Sequence, residues 1–121
     1  MNIKEQVLSI DQVRELQELG FDIEKYASMC WIGVEDKYRL TIFDTWCLEK
    51  TCLGTIPTMT IGDIIEILPE KIYNHYSLEI SKNYVDYCDD YISINREVEE
   101  KLIDSFFEML KWCIKEKHIA L

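Results

Sequence analysis

Glycine and proline are scarce here, four and two in 121 residues. That scarcity excludes a flexible linker, a collagen-like repeat and low-complexity disorder. Basic residues are also few, 13 against 23 acidic, for a formal net charge of −10. The deficit excludes a direct nucleic-acid binder and an anionic-membrane binder, since both need clustered Lys and Arg. No apolar run approaches the roughly 18 residues of a membrane span. The longest stretch free of Asp, Glu, Lys and Arg runs from Thr51 to Gly62 and contains Gly54 and Pro57. Met1–Leu8 lack the apolar core of a signal peptide, with Glu5 interrupting them. The expectation is a cytoplasmic protein.

Other absences bear on chemistry. The four glycines are too dispersed for GxGxxG or a P-loop. The five cysteines, Cys30, Cys47, Cys52, Cys88 and Cys113, form an odd set and read as free thiols. Cys30 and Cys113 sit in apolar patterns and read as small hydrophobes. Four residues separate Cys47 from Cys52, and no second pair completes a zinc set.

What is present is apolar bulk: 48% hydrophobic residues, with three Trp, seven Tyr and four Phe. The length fits a single compact domain, 1–121, better than two. Ser9 with Gln12 forms a capping-box pattern, Leu8 and Val13 a staple, and Gly20 a C-terminal stop, predicting a helix over 10–19. Ala27–Val34 and Tyr38–Phe43 predict a hairpin around Glu35-Asp36-Lys37. Thr60 and Asp63 cap a second helix that Pro69 ends. Tyr76–Ile80 and Tyr84–Cys88 predict a second hairpin. Asn95 caps a last helix over 96–117, with acids in its first turn and bases in its last. The fold class is α+β. Its order is helix-hairpin-helix-hairpin-helix, with an antiparallel sheet of about four strands and helices mainly on one face. Arg39, Thr41, Glu79 and Asp86 are expected on a polar opposite face.

Several groups invite chemistry. Asp86, Asp89 and Asp90 offer carboxylates to a divalent cation, but lack the glycine and closing Glu of an EF-hand loop. On a strand, Asp86 and Asp90 share one face and Asp89 points away; a solvated strand end explains the group equally well. His75 opens a strand and His118 lies at a helix C-terminus, neither beside a nucleophile in a recognisable pattern. Tyr84, Tyr87, Tyr91, Trp31, Trp46 and Trp112 lack the basic groove that base stacking requires. No residue pattern assigns a catalytic, cofactor-binding or metal role. The segment Trp46–Met59, whose only charges are Glu49 and Lys50, reads either as cover for the core or as a contact surface.

Three stretches carry a resemblance. Glu15-Leu16-Gln17-Glu18-Leu19-Gly20-Phe21-Asp22 with Ala27–Ile32, the threonine-capped Pro57–Pro69, and Met109-Leu110-Lys111-Trp112-Cys113-Ile114 resemble small proteins from phages, prophages and mobile elements of gut bacteria. The chain departs from that group around Trp46–Leu53. The resemblance implies a small accessory protein and carries over no catalytic residue or cofactor.

The leading expectation is therefore a non-enzymatic accessory protein acting through an unidentified protein partner. One alternative is an acidic DNA-mimic decoy for a host nuclease or repressor, with Glu97, Glu99, Glu100, Asp104 and Glu108 as part of a stripe. Another is a small-ligand binder or an enzyme without a motif. Oligomeric state has no signature in the sequence. Residues 1–60 hold six basic and ten acidic residues, and 61–121 seven and thirteen. No acidic tail exists, and the charge reads first as a solvated exterior.

Overall fold

A computed structural model describes residues 3–34, 37–42 and 54–121. The protein is α+β, with three α-helices and two antiparallel sheets among these residues. By packing, the chain divides into two compact units, Met1–Asp63 and Ile64–Leu121.

In the first unit, helix α1 (Ile10–Glu18) forms where its punctuation places it. Gln12 N donates to Ser9 Oγ at 3.2 Å, and Ser9 N donates to Gln12 Oε1 at 2.9 Å. Two donors that a helix start leaves orphaned are thereby satisfied. Gly20 takes φ +88°, a conformation glycine adopts without penalty. The Gly20 and Phe21 N–H groups then reach the carbonyls of Gln17 and Leu16, completing a Schellman stop. Leu8, Val13, Leu16 and Phe21 are buried.

Strands β1 (Met29–Val34) and β2 (Lys37–Ile42) form the predicted hairpin. Strand β3 (Thr55–Thr58) pairs on the other side of β1, giving the order β2-β1-β3. Residues 55–58 belong to the segment Trp46–Met59, which reads from sequence as core cover or a contact surface and not as a strand. Pro57 has no N–H for a ladder, yet an edge strand tolerates it, and its Thr and Ile neighbours favour extended backbone. Trp31 Nε1 donates to the Leu8 carbonyl at 3.0 Å, and Thr58 Oγ1 donates to the same oxygen at 2.7 Å. Each such bond contributes about 1 kcal/mol net, and together they tie the segment before α1 to the sheet.

Helix α2 (Ile61–Ile67) starts as predicted. Asp63 N donates to Thr60 Oγ1 at 3.1 Å, and Thr60 N donates to Asp63 Oδ2 at 3.0 Å. That carboxylate oxygen also accepts from Ser28 N at 3.2 Å and Ser28 Oγ at 2.5 Å.

The second unit holds β4 (Lys71–Ile72), β5 (Tyr76–Ile80), β6 (Tyr84–Cys88) and β7 (Ser93–Val98), in that spatial order, and helix α3 (Leu102–Lys115). The β5–β6 hairpin follows its period-two pattern. Where periodicity predicts one sheet of about four strands, the described residues form two, of three and four. Each hairpin recruits strands the alternation did not mark. Arg39 and Thr41 consequently lie in one sheet, and Glu79 and Asp86 in the other.

Helix α3 begins at Leu102, not at Arg96, and Asn95 is a strand residue instead of a cap. Pairing with β6 claims Ser93–Val98, with Arg96 level with Asp86. A cross-strand ion pair outweighs a helix N-terminal turn whose propensity is worth tenths of a kcal/mol. Phe106, Met109, Leu110 and Cys113 are fully buried on α3, which packs against β6 and β7. Among the described residues, no helix is long and apolar enough to cross a membrane.

Candidate functional site

Strand β6 alternates between two environments. Val85 and Tyr87 are fully buried, and Tyr87 meets Trp112 of α3. Tyr84, Asp86 and Cys88 occupy the opposite face. Strand pairing sets Glu79 and Arg96 level with Asp86, and Ser77 and Ser93 level with Cys88. Ser93 and Arg96 are three residues apart, a spacing that sends side chains to opposite faces of a regular strand. The register shift beside Tyr87 and Cys88 leaves Ile94 without an opposite residue. This β-bulge brings Ser93 and Arg96 onto the same face.

Asp86, fully buried, accepts from Ser93 Oγ at 2.6 Å, Arg96 Nη2 at 2.9 Å and Arg96 Nε at 3.0 Å. The Arg96 guanidinium also lies 4.5 Å from the centre of the Tyr84 ring. Cys88 Sγ donates to Glu79 Oε2 at 3.1 Å, and that bond, aided by desolvation, pushes the thiol up to about 12. Burial pushes the Cys113 thiol up to about 12 as well. Both keep their protons at neutral pH, and a protonated thiol is a poor nucleophile. Glu79, Asp86 and Cys88 place ligand atoms within 4.8 Å of one another. Their charge is already met from within, by Arg96 on Asp86 and by the Cys88 proton on Glu79.

Strand β6 ends at Cys88, so Asp89 and Asp90 lie in the following turn and Asp90 shares no strand face with Asp86. Asp89 Oδ1 accepts from Tyr91 N at 2.8 Å and Ile92 N at 2.7 Å, and Asp89 N donates to the Ile92 carbonyl at 2.9 Å. Asp89 Oδ2 meets His75 Nε2 at 2.7 Å. The backbone N–H of Tyr91 first, then that of Ile92, then His75 hold this carboxyl below its ordinary range. On that fixed turn Tyr91 is 93% exposed and Ile92 55%.

The turn before β5 lies at the same end of the sheet, because β5 starts where β6 finishes. It contains His75, which precedes the strand and does not open it. Tyr73 and Asn74 take φ +56° and +55°, and His75 N donates to the Ile72 carbonyl at 3.1 Å. These are the marks of a type I′ turn, which Asn accepts and Tyr resists by about 1–2 kcal/mol. Tyr73 is nevertheless 75% exposed, its ring meeting that of His118 edge-on at 5.4 Å. Between the two turns opens a cleft of about 480 Å³ lined by His75, Ser77, Glu79, Cys88, Asp89 and Asp90.

A second concavity, of about 440 Å³, belongs to the first unit and is bounded by Ser9, Ile10, Asp11, Arg14, Trp31 and Tyr38. Of the expected contact segment Trp46–Met59, residues 46–53 lie outside the described ones, as do Cys47 and Cys52. Its remainder is strand β3 and the fully buried Met59. The five acids of the expected stripe do not share a helix. Glu97 is in β7, Glu99 and Glu100 follow it, and only Asp104 and Glu108 are on α3, where Glu108 pairs with Lys111 at 3.1 Å. Cys30 and Cys113 are fully buried, as their apolar settings predict, and His118 sits past α3 against Trp112.

Sequence reasoning singled out Asp86, Asp89, His75 and Tyr91, set Glu79 on one face with Asp86, and missed Ser93 and Arg96 as the partners of Asp86. Asp86 reaches Arg96 across a bulge, which no fixed sequence offset encodes. A local signal for the Asp89 turn did exist, since Asp tends to accept from N–H groups two and three residues on. No protein-family model, curated protein or solved structure matches this chain.

Proposed function

We propose that this protein is a small non-enzymatic accessory protein, of the phage or mobile-element kind its sequence resembles, that works through protein–protein contact. Its contact surface is the end of the second sheet bearing Tyr73, Tyr91 and Ile92. The observation that carries this reading is Tyr91, 93% exposed on a turn that Asp89 pins with three hydrogen bonds. An aromatic side chain on an ordered turn loses little entropy when a partner covers it, and Tyr is enriched at binding hot spots. Tyr73 supports the same reading, because a strained backbone under a ring that is three-quarters exposed is repaid by little packing within the chain.

The test compares the tagged protein with a Tyr91→Ser, Ile92→Ser variant as bait in extract of its native host. The expected result is a protein retained by the wild type and reduced about tenfold or more by the variant, with the urea midpoint unchanged. Equal retention by both baits overturns the reading. So does the absence of any retained protein alongside clear thermal stabilisation by a small metabolite.

A further inference from the structure

We infer that the partner protein adds an extended, uncharged segment as a further strand along the outer edge of β7. The inference rests on the contact surface proposed above, since Ile92 leads directly into that strand, and it names the form the partner takes. Strand β7 ends the sheet β4-β5-β6-β7, and among the described residues no strand pairs with its outer side. No backbone hydrogen bond links Ser93–Val98 to any element but β6. The ladder shows which groups lie bare. Glu99 N donates to the Asn83 carbonyl at 3.3 Å, one step beyond the pair Tyr84 and Val98. Antiparallel pairs alternate between bonded and non-bonded, so Asn95 and Glu97 bond to β6, while Arg96 and Val98 turn N–H and C=O outward. The bulge at Ser93 and Ile94 blunts one end and leaves Asn95–Val98 as the regular edge.

Free edges are ordinarily protected by shortness, Pro or Lys. The opposite edge, β4, is two residues long. Strand β7 has six residues without Pro or Lys, and its charged side chains are occupied. Arg96 folds onto Asp86 and over the Tyr84 ring, and Glu97 Oε1 accepts from Asn95 Nδ2 at 3.1 Å. Val98 is 55% exposed. Beyond it Glu99, Glu100 and Lys101 mix both signs, so the edge offers backbone and aliphatic surface rather than a charge pattern. An added strand takes its affinity from main-chain bonds, and β-branched residues fit beside Val98 and Ile92. A second copy is a poor occupant. A two-fold axis between antiparallel strands sets one residue opposite its own copy. Over Asn95–Val98 the registers of fullest overlap centre on Arg96 or on Glu97, and either one faces like charges across the pair. The net charge of −10 adds repulsion between copies and disfavours an acidic segment.

The probe is an end-blocked peptide of alternating Thr and Val, with a Lys at each end for solubility, added to the isotope-labelled full chain. Amide hydrogen exchange is read by NMR at single residues. In the free chain Arg96 and Val98 should exchange about tenfold or more faster than Asn95 and Glu97. The peptide should slow Arg96 and Val98 by about tenfold and leave the other two unchanged. A control peptide with Pro for each Val keeps the charge and loses pairing donors, so its effect should stay below about twofold. Val98→Pro removes an outward N–H and spares the β6 ladder; it should abolish the peptide effect and reduce capture of the host protein about tenfold. Val98→Thr keeps the N–H and should retain both. Equal effects of the two peptides, or no slowing at Arg96 and Val98 of the wild type, overturn the inference, and this readout decides even where Val98→Pro fails to fold. Concentration-dependent self-association that Val98→Pro abolishes also overturns it, since a second copy is then the occupant. Capture lost by Tyr91→Ser, Ile92→Ser and kept by a folded Val98→Pro overturns strand addition and leaves the contact surface standing. Capture lost by Val98→Pro and kept by Tyr91→Ser, Ile92→Ser supports the edge and removes that surface.

Discussion

The two units end their elements in opposite ways. In Met1–Asp63, α1 opens on the reciprocal Ser9–Gln12 box and closes on Gly20 at φ +88°. In Ile64–Leu121, α3 opens at Lys101 with no side-chain cap and closes with Lys117 at φ +62°. The bonding at that close is still a Schellman pattern, His118 N to Cys113 O at 2.8 Å and Lys117 N to Ile114 O at 3.2 Å. A lysine there carries the left-handed penalty that glycine avoids. Local chemistry thus fixes the helix of the first unit. In the second, burial of eight α3 side chains and the Asp86 network hold the elements, and strain accumulates at the turns. Tertiary energy dominates where local signals are weak or wrong.

The sharpest way to break the contrast is at Arg96. An Arg96→Met change removes the cation from the fully buried Asp86 carboxylate and leaves it the Ser93 hydroxyl. Removing one member of a buried pair costs more than the pair itself contributes. The side chain of Arg96 is half exposed, so the expected loss lies below the fully buried range, at about 2–3 kcal/mol. Asp86→Asn should cost less, because Arg96 can turn to solvent and Ser93 keeps a partner. Urea unfolding of both variants checks the order, and an Asp86→Asn loss larger than that of Arg96→Met refutes the network as described.

Next in size is the local term. Ser9→Ala should cost about 1 kcal/mol, the usual worth of a capping side chain. Lys101→Ala should change stability by a few tenths at most, since Lys101 makes no cap bond. A Ser9→Ala loss no larger than that of Lys101→Ala, by the same urea measurement, removes the distinction between the units.

How far the fold was legible follows the same division. Ser9, Gln12 and Gly20 specify α1 through bonds within three residues of one another, and the sequence displays such bonds openly. Thr60 and Asp63 do the same for α2. Asn95 offered an equally good local cap, yet β7 overrode it through Arg96, ten residues from Asp86 and across a bulge. Strand β3 was hidden because Pro57 reads as a breaker until the edge position is known. The candidate site was legible as separate residues and not as a constellation. Its cleft exists only because β5 begins where β6 ends.

The strained turns should respond in the opposite direction. Lys117→Gly is expected to stabilise by about 0.5–1 kcal/mol by relieving the left-handed conformation. Tyr73→Asn should gain a similar amount, as the residue a type I′ turn prefers. The pair sharpens the functional claim, because the two positions share the strain and differ in the surface they present. Lys117→Gly should leave capture of the host protein unchanged, whereas Tyr73→Asn should weaken it while raising the urea midpoint. A Tyr73→Asn variant that is both more stable and equally competent in capture removes Tyr73 from the contact surface.

The smallest effect is expected at Asp89, and its signature is pH. The folded state holds this carboxyl below its ordinary value through Tyr91 N, Ile92 N and His75, in that order. A depressed carboxyl binds its proton less readily when folded, so it favours the folded state only while ionised. The contribution is therefore present above the unfolded carboxyl value of about 3.9 and fades as pH falls through the lower, folded one. Asp89→Asn should lower the urea midpoint at about pH 7 and converge on the wild type as pH falls through the folded value. Amide exchange should show the same window at Tyr91 and Ile92, whose N–H groups keep only a neutral amide acceptor in the variant. A difference that persists undiminished in acid would mean that Asp89 acts through shape and not charge. The pre-ordered turn that presents Tyr91 would then owe nothing to the carboxylate charge.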